Sequence, residues 1–320
     1  MSLTEVNPPL VVIVGPTAVG KSEAAIRLAE RVCGEIVSAD SRLFYRGMDI
    51  GTAKPTPAER ERVPHHLIDV ADPDQTWSLA VFQHAAREVI SGVHARGRLP
   101  ILVGGTGQYV RAVIQDWRVP PLEPNPCLRR ALEKWAEEVT PQGLHARLAR
   151  LDPQAAAHID YRNLRRTVRA LEVILSTGRR FSELRRKERA PYRVMIFGLR
   201  RPRAELYARI DARIEQMIER GFVEEVRALL NRGYSPELPS FSAIGYREIA
   251  AFLQGRMSLD EAIETMKRLT RIFVRRQANW FKESDPTIHW LRAGDREVEE
   301  MEHLLHTEGF LSNSRKFMAV

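Results

Sequence analysis

Hydrophobic and polar positions change period repeatedly along this chain. The run Val11-Val12-Ile13-Val14 has no polar position to give it a wet face, so it predicts a strand buried on both sides of a sheet. From Ser22 to Glu30 the pattern turns helical, with Ile26 and Leu28 inward. Glu35 to Asp40 predicts a second short strand, His65 to Val70 a further one, and Leu99 to Val103 a third apolar run. Before that run, Ser78 caps a helix reaching about Arg96, with Leu79, Phe82, Ala86, Val89 and Val93 on one stripe and Gly97 past its end. Strand and crossover helix in alternation predict the α/β class, with helices flanking a parallel sheet.

Pro120, Pro121, Pro124 and Pro126 then punctuate the chain, and from Leu128 to about Arg189 the pattern is helical and rich in Arg, without strand signals. Met195 to Leu199 returns to a strand, followed by a helix from about Arg203 to Arg220 with Leu206, Ile210, Ile214 and Met217 inward. Helices are expected over Phe222 to Asn231 and Leu259 to Phe281, then a short apolar run Ile288 to Leu291; the polar segment after Arg292 is expected to be loosely held. The predicted organisation is a core begun by residues 1–119, an all-helical insertion over 120–192, and a return to the core over 193–320.

At 320 residues and 44% hydrophobic content the chain can bury a sizeable core. No apolar stretch approaches the roughly 20 residues of a membrane span, and no basic leader opens the sequence, so a cytoplasmic protein without membrane contact is expected. Cys33 and Cys127 have no partner at ligand spacing, which excludes a disulfide framework or zinc site and leaves them as expected buried or half-buried thiols. The net charge of +8 is concentrated: Asp160 to Arg203 holds fourteen Lys and Arg against four Asp and Glu. That suits a polyanion larger than a nucleotide.

Directly after the first strand come Gly15-Pro16-Thr17-Ala18-Val19-Gly20-Lys21-Ser22, the pattern GxxxxGK[ST]. Glycines let successive amides turn toward one oxyanion, Lys21 adds a mobile cation, and Ser22 offers a hydroxyl to Mg²⁺, so a diphosphate or polyphosphate is the expected ligand. A P-loop NTPase-like sheet follows. The third run ends in Gly104-Gly105-Thr106 where a hydrolytic enzyme would place an acid, whereas Asp40 closes the second strand. That favours group transfer to an acceptor. A small-metabolite or nucleoside kinase using ATP, and an ATP-gated RNA-binding module, stay open at this point.

Further motifs narrow the choice. The P-loop, Ser38-Ala39-Asp40-Ser41, Tyr45-Arg46-Gly47-Met48-Asp49-Ile50-Gly51-Thr52-Ala53-Lys54-Pro55, Val103 to Tyr109, Arg169-Ala170-Leu171-Glu172, Ile244 to Glu248 and Arg275-Arg276-Gln277-Ala278-Asn279-Trp280-Phe281 together resemble the bacterial tRNA dimethylallyltransferase, or tRNA isopentenyltransferase, family over about residues 10 to 291. The resemblance implies transfer of a five-carbon prenyl group from dimethylallyl diphosphate to the exocyclic amine of the adenosine just 3′ of the anticodon, with tRNA and the diphosphate donor as partners, Mg²⁺ as cofactor, and a monomer. It implies that residues 15–22 hold the diphosphate, that Lys21, Arg213 and Thr17 act on the reacting atoms, and that Asp40 accepts the amine proton. On local pattern alone Arg213, one turn from Arg209, could equally sit on a solvated face.

The resemblance places tRNA contacts at Asp40, Ser41, Arg42, Leu43, Thr106, Arg129, Arg165, Arg166, Arg169, Ser242, Ala243, Ile244, Gly245, Tyr246 and Arg247, overlapping the basic insertion. Two departures stand out: many members have Gln near the position of Leu43, and the Cys/His zinc element of some eukaryotic relatives is missing. Phe273, Trp280 and Phe281 read as core, and their neighbours Arg271, Arg275, Arg276 and Lys282 as cations facing phosphate.

Overall fold

The computed structural model describes residues 7–117, 125–183, 191–294 and 296–311. In chain order its elements are β1 (Pro9–Val14), α1 (Lys21–Val32), β2 (Gly34–Ser38), α2 (Pro57–Arg62), β3 (His65–His66), α3 (Leu79–Ala95), β4 (Leu99–Val103) and α4 (Gly107–Ile114). The helices α5 (Pro126–Leu151), α6 (Pro153–His158) and α7 (Leu164–Thr177) come next. Then follow β5 (Arg193–Arg200), α8 (Arg203–Glu219), α9 (Phe222–Asn231), α10 (Tyr246–Leu253), α11 (Leu259–Gln277), β6 (Ile288–Arg292) and α12 (Glu297–Thr307).

The chain forms two units: Met1–Ile114 with Pro191–Val320, and Gln115–Ala190. In the first, six strands pair in parallel in the order β3-β2-β4-β1-β5-β6. β1 is interior, with Val11 beside Ile101 on one flank and Met195 on the other. Leu10 to Val14 are fully buried because each face has a cover. Val11 and Ile13 pack with Ala25, Ile26 and Leu28 of α1, whereas Leu10, Val12 and Val14 pack with Phe82, Ala86 and Ile90 of α3. Each such aliphatic side chain contributes about 1.5–3 kcal/mol on leaving water.

Several expectations change here. Only His65 and His66 pair with β2; Leu67 and Asp69 adopt left-handed φ of 60° and 58° and turn the chain away, with the Asp69 carboxylate held by Lys54 and Arg60. α11 stops at Gln277, short of Phe281. Among the described residues after Arg292 the expectation of a loosely held segment fails: α12 buries Val298, Met301 and Leu305 completely, a helical stripe masked by the surrounding charges. It is tied to α1 by Arg27 and Arg31, which pair with Glu297, Glu299 and Glu302. Both cysteines are exposed; Cys33 is the left-handed residue that ends α1.

The named elements of the second unit are the helices α5, α6 and α7. Asn125 caps α5 by accepting from the Leu128 amide, and α5 bends at Thr140 ahead of Pro141, which has no N–H to continue the ladder. Leu132, Leu144, Leu148, Val168 and Leu171 form its core. Within it, the fully buried Glu172 accepts from Arg129 at 2.9 and 3.0 Å, from Arg169 at 2.6 Å and from the Asn125 amide at 2.7 Å. Burial would push its carboxyl up, but these four donors outweigh burial and hold it below its ordinary value. Its contribution is therefore present at neutral pH and fades as acid protonates it. Glu172→Gln should destabilise this unit by about 3 kcal/mol, at the lower end for a broken buried pair because both arginines keep some water contact. Hydrogen exchange localised to α5 and α7 checks this. The expected insertion prolines Pro120, Pro121 and Pro124, and the expected helical continuation over 184–190, lie outside the described residues.

Candidate active site

The phosphate loop falls between the carboxyl end of β1 and the amino end of α1, where a parallel sheet leaves a crevice and the helix dipole offers positive potential. Three side chains brace the loop. Arg209 Nε donates to the Ala18 carbonyl at 2.9 Å, Arg201 Nε to that of Val19 at 2.9 Å, and Gln277 Oε1 accepts from the Thr17 amide at 2.9 Å. Ala18 needs such bracing, since its φ of 64° is a left-handed conformation that L residues avoid at about 1–2 kcal/mol.

Lys21 Nζ donates to the Pro16 carbonyl at 2.8 Å, folding back over the loop. Burial lowers its pKa to about 8; Asp40 pulls it back up and Arg213 pushes it further down. Arg213 is itself enclosed: burial lowers its pKa, Asp40 opposes that and Arg209 adds to it, while Nη2 donates to the Thr52 carbonyl at 3.4 Å. Arg213 therefore faces the site. Asp40 lies two residues beyond β2, its carboxylate accepting from the Arg42 amide at 3.0 Å.

Two cavities meet at these groups. The first, of about 490 Å³, is walled by the loop with Lys21, Ser22, Asp40, Arg209 and Arg213. The second, of about 410 Å³, is more apolar, with Ile210, Ile214, Met217, Ile244, Met266 and Phe273 among its walls. Thr17, Asp40, Thr52 and Arg213 belong to both. A charged group can thus sit on the loop while an uncharged one attached to it enters the second chamber, with one carboxylate and one guanidinium at the join. Ser22 lines the first cavity. Among the described residues no cluster of three His, Cys, Asp or Glu could cage a metal.

The remaining expected residues divide. Ser41, Arg42, Thr106, Ser242, Ala243 and Ile244 line the second cavity. Arg42 Nη1 donates to Ser242 Oγ at 3.1 Å, and Ser41 donates its amide to Thr106 Oγ1 at 3.5 Å. Leu43 lines the first cavity and Arg247 is exposed. Tyr246 is a correction: it is fully buried, its hydroxyl donating to Glu225 at 2.7 Å, and burial with that carboxylate raises its pKa far above the usual value. Gly245, with φ of 107°, serves as the left-handed entry to α10. In the second unit Arg165 and Arg166 are exposed, whereas Arg129 and Arg169 are bound to Glu172. Phe273 is not core but 41% exposed at the cavity wall, and Arg271 pairs with Asp211 at 2.5 Å.

Two supporting residues had no role in the sequence. Glu225 accepts from the amides of Asp49, Ile50 and Gly51 at 2.9, 2.6 and 3.2 Å, so it fixes the segment that presents Thr52 to Arg213. The second, Gln277, lay inside a quoted motif, but nothing in its neighbours shows that it reaches the phosphate loop.

Comparison with known proteins gives consistent results. The sequence model of the IPP transferase family matches residues 43–284, and that described as isopentenyl transferase matches residues 8–72. A tRNA dimethylallyltransferase of Roseiflexus sp. (strain RS-1) is 56% identical over 274 residues, covering 86% of this chain and 90% of the relative. That of Thermomicrobium roseum is 53% identical over 274 residues, covering 86% and 83%. Among solved structures, the full-length tRNA isopentenylpyrophosphate transferase of Bacillus halodurans superposes with a TM-score of 0.70 at 41% identity, covering 94% of this chain and 96% of that one. A eukaryotic dimethylallyltransferase acting on tRNA gives 0.77 at 27% identity, covering 95% and 79%.

Proposed function

Because the chain belongs to the IPP transferase family, we propose that its two joined cavities divide one reaction, the polar one taking the diphosphate of dimethylallyl diphosphate and the apolar one the prenyl chain with an adenosine. The activity is transfer of a dimethylallyl group to the exocyclic amine of the adenosine just 3′ of the anticodon in tRNA. The observation that supports the assignment of parts is the sharing of Thr17, Asp40 and Arg213 between the two cavities.

In this reading the amine nitrogen attacks the first carbon of the dimethylallyl group as the bond from that carbon to the diphosphate oxygen breaks. The amine proton passes to the Asp40 carboxylate, a general-base step. Negative charge growing on the leaving diphosphate is met by Lys21, by Arg213 and by the amides opening α1. Ser22, with the diphosphate oxygens, would hold Mg²⁺, which supplies further charge neutralisation there. The target base must leave its stack to enter the second cavity, where Phe273 and Trp280 offer flat surfaces. Leu43 gives the first cavity an apolar contact. A tRNA substrate supports a cytoplasmic site of action, and among the described residues no helix is long and apolar enough to cross a membrane.

The test is incubation of the protein with unmodified tRNA, Mg²⁺ and either dimethylallyl diphosphate or ATP, followed by mass analysis of the nucleosides. A gain of one prenyl unit on adenosine with the diphosphate donor alone is expected; phosphate release from ATP without any adduct would overturn the reading. For the insertion, replacing exposed Arg165 and Arg166 by Ala should weaken tRNA binding and reduce the slope of log Kd against log salt by about 1–2, as for loss of two phosphate contacts. A salt titration by filter binding checks it, and an unchanged slope would remove these residues from the RNA contact.

A further inference from the structure

The last residue of α11 reaches two loops at once. The Gln277 side chain is 8% exposed; its Oε1 accepts from the Thr17 amide at 2.9 Å, and its Nε2 donates to the Gly105 carbonyl at 3.2 Å. Thr17 lies in the phosphate loop after β1, and Gly105 in the loop after β4. One planar amide thus sets the spacing between the loop that grips the diphosphate and the loop that carries Thr106. It also occupies the Thr17 N–H, while Thr17 itself borders both cavities.

The approach is close by construction. A Cβ on Gly105 would collide with Gln277 Nε2, and one on Gly107 with the Trp280 ring, so the glycines around Thr106 are what let the end of α11 dock there. Arg111 Nε and Nη2 secure the same segment by donating to the Trp280 carbonyl at 3.2 and 2.6 Å. α11 also contributes Met266, Thr270, Phe273 and Arg276 to the apolar cavity. The wall that an acceptor base would press on is therefore the same helix that holds Thr17 and the Thr106 loop in register.

We propose that Gln277 is a positioning residue for the transfer step: through its two hydrogen bonds it fixes the hydroxyls of Thr17 and Thr106 on either side of the reacting atoms. The proposal rests on the reading of the two cavities given above. Positioning errors of an ångström are enough to slow a reaction strongly without loosening substrate binding.

Gln277→Met, similar in length and unable to make either bond, should lower single-turnover transfer about 10- to 100-fold, with affinities for pyrophosphate and tRNA changed less than about threefold. Because one of the two arms runs through Thr17, Gln277→Met should cost less in a Thr17→Ala background than in the unmodified protein, so the double variant should lose less than the product of the two single losses. Gln277→Glu gives an independent reading. Ionised, the new carboxylate still accepts from Thr17 but opposes the Gly105 carbonyl; protonated, it donates to that carbonyl and restores both bonds. Its rate relative to the unmodified protein at the same pH should therefore climb as pH falls from about 8 to about 5. Transfer by Gln277→Met at the normal rate, fully multiplicative losses in the double variant, or a flat relative pH profile for Gln277→Glu would each overturn the proposal. If Gln277→Met fails to fold, the pH profile decides. Absence of prenyl transfer by the unmodified protein would instead sink the reading of the cavities.

Discussion

Asp40→Asn should lower single-turnover prenyl transfer by about 10²- to 10⁴-fold, the range for loss of a general base. The substitution keeps the shape and can still accept from the Arg42 amide, but its amide cannot take a proton. The pattern of what survives is as informative as the loss. Asp40 is the negative charge beside Lys21 and Arg213, and it raises the pKa of each. Its removal leaves two cations less neutralised, so below about pH 6, where Lys21 keeps its proton, pyrophosphate should bind at least as tightly, and tRNA affinity should hold within a few-fold. Calorimetric titration with pyrophosphate and a quenched-flow assay of transfer measure the two quantities separately. A rate loss below about tenfold would make Asp40 a group that orients the amine, since a missing base costs more than that.

Lys21→Met should reduce transfer by about 10²- to 10³-fold, the scale for removing one charge-stabilising donor at a developing oxyanion. The same residue sets a pH dependence. With its pKa lowered to about 8 in the free protein, Lys21 is charged below that pH and neutral above it. Pyrophosphate affinity is therefore expected to be level below about pH 8 and to fall toward tenfold per pH unit above it, while the Lys21→Met protein shows no such break. The sign for stability is the reverse. Between about pH 8 and 10.5 the unfolded chain binds the proton and the folded one does not, so this group makes the free fold more stable as pH rises through that window. At neutral pH the partly buried cation is a burden on the fold, and Lys21→Met should melt at higher temperature than the parent while losing activity. A melting point lowered by the substitution would contradict the assigned burial.

What could be read from residues alone follows from how local each signal is. The strand Val11 to Val14, the loop to Ser22 and the helix behind it are contiguous, so their order declares the chemistry before any folding is known. The position of Asp40 at a strand end is equally local. Arg213 was left between two faces of a helix, because only the crossing of α8 beneath the phosphate loop decides which face is enclosed. Tyr246 shows the opposite failure: a residue in a motif that resemblance ties to RNA is spent on Glu225 inside the fold. The Asp49 to Pro55 run, so distinctive as a string, is likewise structural in part, with buried Lys54 held by Asp49 and Asp69 at 2.6 and 2.5 Å. α12 was hidden because its apolar stripe of Val298, Met301 and Leu305 is narrow and set among glutamates. Gln277 could not be found at all, since its partners are brought to it from two distant loops.

The placing of β1 has a consequence for how the protein is made. Its partners are β4, completed at Val103, and β5, which starts only at Arg193 with the whole helical unit in between. During synthesis the phosphate loop is therefore translated long before the strand that flanks it. For the time it takes the ribosome to add roughly 90 residues, about 5–20 seconds, the flank of β1 that β5 will cover is an apolar ribbon with unpaired amides and carbonyls. α5 to α7, whose contacts are local, can fold on their own side of this interval. The nascent chain at that stage is a target for holding chaperones, and slowing elongation between Ile114 and Arg193 would be felt as aggregation of the core long before it was felt as loss of the helical unit.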